Sequence, residues 1–384
     1  MKKIFLLAAA CVLLAGCSGD DASTVKIGLI AELTGDMPAI GASCKNGAEM
    51  AVKALNDAGG IELGGKKYKV KLIVEDNAGK PEQSAAAAQK LISRDKVVAI
   101  IGPNATRYAI PASEIAESSK VPLITPWSTN PKTTLDSVTG ASKKYVFRAC
   151  FSDSFQGEVL ANFIFTNMKL RKVAVLYDVA SDANKGIAEV FKNSFESKGG
   201  KITAFETYTT SDKDFTSQLT KIKQSKPEIV FLPNYYSEVP LQVQQAHRLG
   251  INVPFFGGDS WGTPELIKLC GDDCEGFHFS THYAADMATP AATKFIADYK
   301  AAYGTVPDDV AALTYDSFEI LFSALRTAQS NDREAVRGAI AELRGHSGVT
   351  GEMKFVPGSG DPIKSAVILQ ISSGTARWFA NVAP

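Results

Sequence analysis

Short, almost uninterrupted apolar runs alternate with helix-length stretches along most of this 384-residue chain. Apolar runs fall at 25–31, 69–75, 97–101 and 122–125, and the segments between them, 41–58, 81–94 and 108–118, carry helical periodicity. The pattern restarts at 172–177 and continues through 202–207, 228–232 and 253–256, with helices expected at 184–197, 215–224 and 238–249. A strand that is apolar on both faces must be covered on both faces. Each series therefore predicts an α/β unit, a mainly parallel sheet between two helical layers. Two series separated by 136–155 predict two lobes of similar architecture. Beyond 276–282, which alternates like a strand, the order changes. Helices are expected at 290–303, 310–328 and 333–343, and strands at 352–355, 366–371 and 377–379. Such a tail can send each segment back to a different lobe.

Composition narrows the partners. The chain is 45% hydrophobic and 21% charged, which excludes a disordered, collagen-like or polytopic membrane protein. Lys+Arg and Asp+Glu are both 41, and no run of five like charges occurs, so a nucleic-acid partner is not expected.

The first residues read as an export signal. Lys2 and Lys3 precede an apolar stretch, Ile4 to Leu14, that is short for a bilayer span. Leu14-Ala15-Gly16-Cys17 looks like the lipobox of bacterial lipoproteins, in which the cysteine becomes the first residue and carries the lipid. The alternative is an ordinary secretory signal with an incidental cysteine. On the lipobox reading, 1–16 is removed, Cys17 is lipidated, and 17–23 is a polar tether to the membrane. An exported chain can form disulfides, and Cys270 and Cys274 are close enough for a local one. With His278 and His282 they also have a spacing that zinc could use. The alternation at 276–282 puts both histidines on one side of a strand and favours disulfide or free thiols. Cys44 and Cys150 read as small buried hydrophobes.

Two motifs suggest enzymes and are declined. Gly60 to Lys67 nearly matches a P-loop, but it ends in Lys and a strand follows, so it reads as a hairpin-type turn. Gly258-Asp259-Ser260-Trp261-Gly262 fits G-x-S-x-G. The following helix begins only after Thr263 as N-cap and Pro264, three residues too late for a nucleophile elbow.

Several segments together resemble one family. They are VKIGLIAELTGDMPAIGASCKNGAEMAVKALNDAGGI, KLIVEDNAGKPEQSAAAAQKLI, VVAIIGPNATRYAIPASEIAESSKVPLITPWSTNP, YVFRACFSDSFQGEVLANF, FLPNYYSEVPLQVQQAHRLG, FFGGDSW and LTYDSFEILFSAL. Their order and spacing, over essentially all of 24–384, are similar to those of the periplasmic binding proteins for branched-chain amino acids, the type I substrate-binding proteins of ABC importers. The resemblance implies a two-lobe clamp with a three-strand hinge. Lobe 1 would comprise 24–150 and 282–350, and lobe 2 would comprise 151–281 and 351–384. The ligand would sit between them at the carboxyl ends of the strands, as in other open α/β sheets.

The resemblance also implies a site. Thr106 would offer its hydroxyl to a ligand carboxylate. Trp127, Ser128 and Thr129 would form the second loop, Thr129 supplying a hydroxyl and an N–H, and the Trp127 carbonyl accepting from the ligand ammonium. Tyr235 and Asp259 would come from lobe 2, Asp259 as counter-charge to the ammonium. Each has an unremarkable alternative: Thr106 as a helix cap, Asp259 in a turn, Tyr235 in the core. The chain departs from the family at Asp182 to Gly186, where Ala183 replaces a common Tyr. It departs again at Ile40, and at Trp127, which stands where Ala is frequent. The implied partners are a free amino acid, most simply a branched-chain or aliphatic one, and an ABC permease with its ATPase subunits. The resemblance implies a monomer facing the periplasm or the cell exterior, with no cofactor, metal or catalytic residue. An amino-acid-sensing receptor is the alternative, and a serine hydrolase is the third reading.

Overall fold

A computed structural model describes residues 23–287 and 289–382, so Cys17 and most of the expected tether lie outside the described residues. The first series of strands forms a six-stranded sheet in the order Ile61–Leu63, Lys66–Asp76, Thr24–Ala31, Ala99–Ile101, Leu123–Thr125 and Val146–Arg148. Every neighbouring pair is parallel except the first. That first pair is a hairpin across Gly64 and Gly65, both at positive φ. The glycine-rich run is thus a turn between strands, as expected, and no helix N-terminus is available there for a phosphate.

The second series forms a seven-stranded sheet in the order Thr375–Val382, Ala366–Ser372, His278–Thr281, Phe255–Gly257, Ile229–Leu232, Lys172–Asp178 and Lys201–Tyr208. It is parallel from His278–Thr281 onward, and its last two strands in sequence add antiparallel at one edge. The expected alternation at 276–282 gives way to burial on both faces of His278–Thr281. Phe379 covers His278, ring centroids 4.7 Å apart. Cys270 and Cys274 are joined as a disulfide, which consumes the two thiols a zinc ion would need. Cys44 and Cys150 are free and buried.

The tail corrects one expectation. The strand expected at 352–355 does not join the second sheet. Gly351–Phe355 pairs with Gly345–Gly348 and Pro362–Ile363 in a small third sheet, and the chain enters the second sheet only at Ala366. The cause is Asp316, fully buried in helix Asp309–Ala328. Its carboxylate accepts the N–H groups of Val349 and Thr350 at 2.7 and 3.0 Å and the Thr350 hydroxyl at 2.6 Å, fastening this hairpin to the helix.

Helix Asp309–Ala328 packs along Pro38–Asp57 and belongs to the core beneath the first sheet. Their close approach needs Gly47, where a Cβ would lie 2.4 Å from the Ala311 carbonyl oxygen. The chain passes between the two sheets at 149–152, 282–284 and 364–365. The first two crossings touch: the rings of Phe151 and His282 are 3.7 Å apart. No helix among the described residues is long and apolar enough to cross a membrane.

Candidate functional site

A small cavity opens where the carboxyl ends of the strands in both sheets face each other. Thr106, Trp127 and Thr129 line it from the first lobe, and Tyr235, Asp259 and Ser260 from the second. Ala105 extends the first wall. Ala183, Asn184 and Ile187, on the first turns of helix Asp182–Ser197, close the remaining side. Five of the six residues expected at the site therefore meet in one place. Ser128 does not line the cavity. Its hydroxyl lies 3.1 Å from Thr106 Oγ1 and 2.7 Å from Thr133 Oγ1, so it orients Thr106 from behind.

The first-lobe loops are shaped by buried charges. Glu32, at the end of the first strand, accepts the N–H groups of Asn104 and Ala105 at 3.0 and 3.2 Å and the Asn104 amide at 2.7 Å. This places Thr106 at the first position of helix Thr106–Ser118, next to N-cap Ala105, rather than as the cap itself. Burial pushes the Glu32 carboxyl above the usual range, against the pull of these hydrogen bonds. Arg148 is 0% exposed and shapes the second loop. It donates to the carbonyls of Ser128 and Asn130 at 2.8 and 2.9 Å, to the Thr134 hydroxyl at 2.7 Å, and through Nε to Asp361 at 2.7 Å. A planar guanidinium with five fixed donors suits this role better than a lysine.

On the second lobe, Asp259 is 4% exposed and its Oδ2 lies 3.1 Å from Nε2 of His282, in the second crossing. A carboxylate only accepts, so Nε2 carries the proton. Burial holds the imidazole pKa below its usual value, and Asp259 opposes that only in part. Ser260 Oγ donates instead to the Asn234 carbonyl at 2.8 Å, so serine, histidine and acid do not form a relay. Thr263 caps helix Pro264–Cys270, as the sequence suggests. A second carboxyl, Asp153, stands behind Thr129. It is buried, accepts from the Asn130 amide at 2.8 Å, and is pushed up to about 7, first by desolvation and also by the charge of Asp259.

The wall therefore presents one acid on the second lobe and hydroxyls on the first, with no lysine or arginine among the lining residues. Such a set can meet both ends of a zwitterion: neutral donors for a carboxylate, one carboxylate for an ammonium. A larger cavity of about 630 Å³, bounded by Trp261, Ile267, Tyr283 and Val306, also holds acids and hydroxyls, Asp308 and Asp309 with Thr263 and Thr281, but Asp309 is already bonded to Thr281 and the wall adds Lys268 and Arg377.

The family described as "Periplasmic binding protein" matches residues 24–376. The chain belongs to that family. Its sequence is 34% identical to the Leu/Ile/Val-binding protein BraC3 of Rhizobium johnstonii over 83% of each chain, and 33% identical to Leu/Ile/Val-binding protein homolog 3 of Brucella melitensis over 81% of each. Its fold superposes on a leucine-binding protein LivK from Thermotoga maritima with a TM-score of 0.86 at 34% identity. It superposes on the branched-chain amino acid transporter substrate-binding protein LivJ of Streptococcus pneumoniae, in complex with isoleucine, with a TM-score of 0.85 at 30% identity. Both comparisons cover 94% of this chain and 99% of the other. The periplasmic binding protein family is one of solute binders, not enzymes, and its type I members share this two-lobe α/β architecture.

Proposed function

We propose that the protein is an extracytoplasmic receptor that closes its two lobes on an α-amino acid with an aliphatic side chain and hands it to an ABC permease driven by ATPase subunits. The observation that carries this reading is the cross-lobe set: Asp259 on one lobe opposite the hydroxyls of Thr106 and Thr129 on the other, with Ala183 and Ile187 beside them. Thr129 and Thr106 take the ligand carboxylate. Asp259 and the Trp127 carbonyl take the ammonium. Both ligand charges are then met inside a closing cleft, where an unpaired ion would cost several kcal/mol. The names of the relatives, which specify Leu, Ile and Val, support an amino-acid ligand. Cys17 carries the lipid that keeps the receptor at the membrane surface. A thermal-shift screen of the mature protein against the standard amino acids tests the reading. A ligand present at 100-fold over its Kd adds ~2.7 kcal/mol to the native state, and a flat profile across all amino acids would sink the proposal.

A further inference from the structure

Resting on the cleft as an amino-acid site, we propose that Trp127 restricts the ligand to the smallest side chains, those of glycine, alanine and serine. With Thr106, Thr129 and Asp259 committed to the zwitterion, a ligand side chain must lie against Trp127, Ala183, Asn184, Ile187 and Tyr235. The cavity measures about 10 Å³, close to the space one water needs. Drug-sized ligands occupy sites of roughly 300–1,000 Å³.

The indole is the bulkiest group in this wall, and it is braced. Nε1 donates to Asp309 Oδ2 at 3.3 Å, and the same oxygen accepts the Thr281 hydroxyl at 3.0 Å. Asp309 cannot follow the indole outward without leaving Thr281. The other oxygen, Oδ1, is buried with no hydrogen-bond partner among the described residues. Withdrawing Trp127 would leave this buried carboxyl with fewer hydrogen bonds still. Across the cleft, the Tyr235 ring stands 6.4 Å from the indole. Tyr235 is backed by the Arg107 guanidinium, 5.0 Å from its ring centre, and Arg107 is paired with Asp36. Making room for leucine means separating Trp127 from Asp309 or Tyr235 from Arg107. Alanine asks for less of either displacement than leucine does, and Asn184, whose amide lies 3.4 Å from Asn234 Oδ1, lines the same wall within reach of a serine hydroxyl.

Calorimetric titration of the mature protein with glycine, alanine, serine, valine, leucine and isoleucine tests this directly. Alanine or serine should bind at least tenfold more tightly than leucine and isoleucine. Trp127→Ala should bring leucine to the affinity of alanine or beyond. Trp127→Phe keeps most of the bulk and loses the Asp309 bond, and should still prefer alanine. Wild-type protein binding leucine as tightly as alanine would overturn the size limit alone. A folded Trp127→Ala with unchanged ranking would do the same. The wild-type ranking decides the matter if that variant does not fold. Failure of every amino acid to bind the wild type would overturn the cleft reading, and this one with it.

Discussion

His282 takes one oxygen of Asp259 and, held neutral by burial, gives it no opposing charge. That leaves the carboxylate to a cationic ligand. Asp259→Asn keeps the shape and removes the charge, so amino-acid affinity should fall more than tenfold, by ~2–5 kcal/mol. Thr106→Ala removes one neutral hydroxyl and should cost less. Calorimetry on both variants checks the order, and an unchanged affinity in Asp259→Asn would take the residue out of the site. Asp153 makes a separate prediction about pH. Its carboxyl titrates near 7 in the fold and near 4 in the unfolded chain. Below about pH 4 both states are protonated and the native state keeps its full advantage. As pH rises from about 4 through 7 the unfolded chain ionises first, and stability is lost. Asp153→Asn should therefore gain stability over wild type in urea melts at pH 8 and show little gain at pH 4. Equal gains at both values would contradict the buried neutral carboxyl. Thr106, Thr129, Tyr235 and Asp259 were legible from sequence because family segments carry them. Glu32, Arg148 and His282 were not, because what defines each is a hydrogen bond to a residue remote in the chain. Ser128 stands behind the cavity wall, its hydroxyl between those of Thr106 and Thr133.

Among the elements, the helix pair Pro38–Asp57 and Asp309–Ala328 depends on a missing side chain. Gly47→Ala puts a methyl against the Ala311 carbonyl, so the helices must separate. A loss of ~1–3 kcal/mol is expected in urea unfolding, and a variant as stable as wild type would mean that the pair repacks freely. The alternation of apolar runs identified most strands of both sheets, since strands covered on both faces are apolar throughout. It missed helix Asp153–Asn162 and strand Val146–Arg148 for a physical reason. The helix turns Asp153 and Gln156 inward as well as Leu160, and the strand ends in a buried arginine. Polar groups buried among apolar ones erase the pattern that periodicity relies on. Strand Gly345–Gly348 escaped similarly, since the hairpin it forms with Gly351–Phe355 is anchored by the carboxylate of Asp316 rather than by an apolar face.

At the scale of the molecule, a ligand held by hydroxyls of one lobe and an acid of the other favours the closed form, because only that form makes both sets of contacts. Small-angle scattering should record a smaller radius of gyration at saturating ligand, and no compaction with a proven ligand would count against a clamp. Cys17→Ser should release the protein from the membrane fraction, and an unchanged mature mass and location would refute the anchor. The two-lobe layout was readable from the two series of strands. Which lobe the tail serves was not, because Ala366–Ser372 pairs with His278–Thr281, a strand separated from it by three helices. Arg148 makes the point in another currency, that of time. Its guanidinium sets the second ligand loop, yet its ionic partner Asp361 lies 213 residues further on. As the polypeptide emerges, N-terminal end first, this half of the protein has no means of finishing until nearly the last residues arrive. On the export proposed above, a chain whose second loop waits for Asp361 stays threadable through a translocation channel, and only the completed polypeptide, on the far side, can lock.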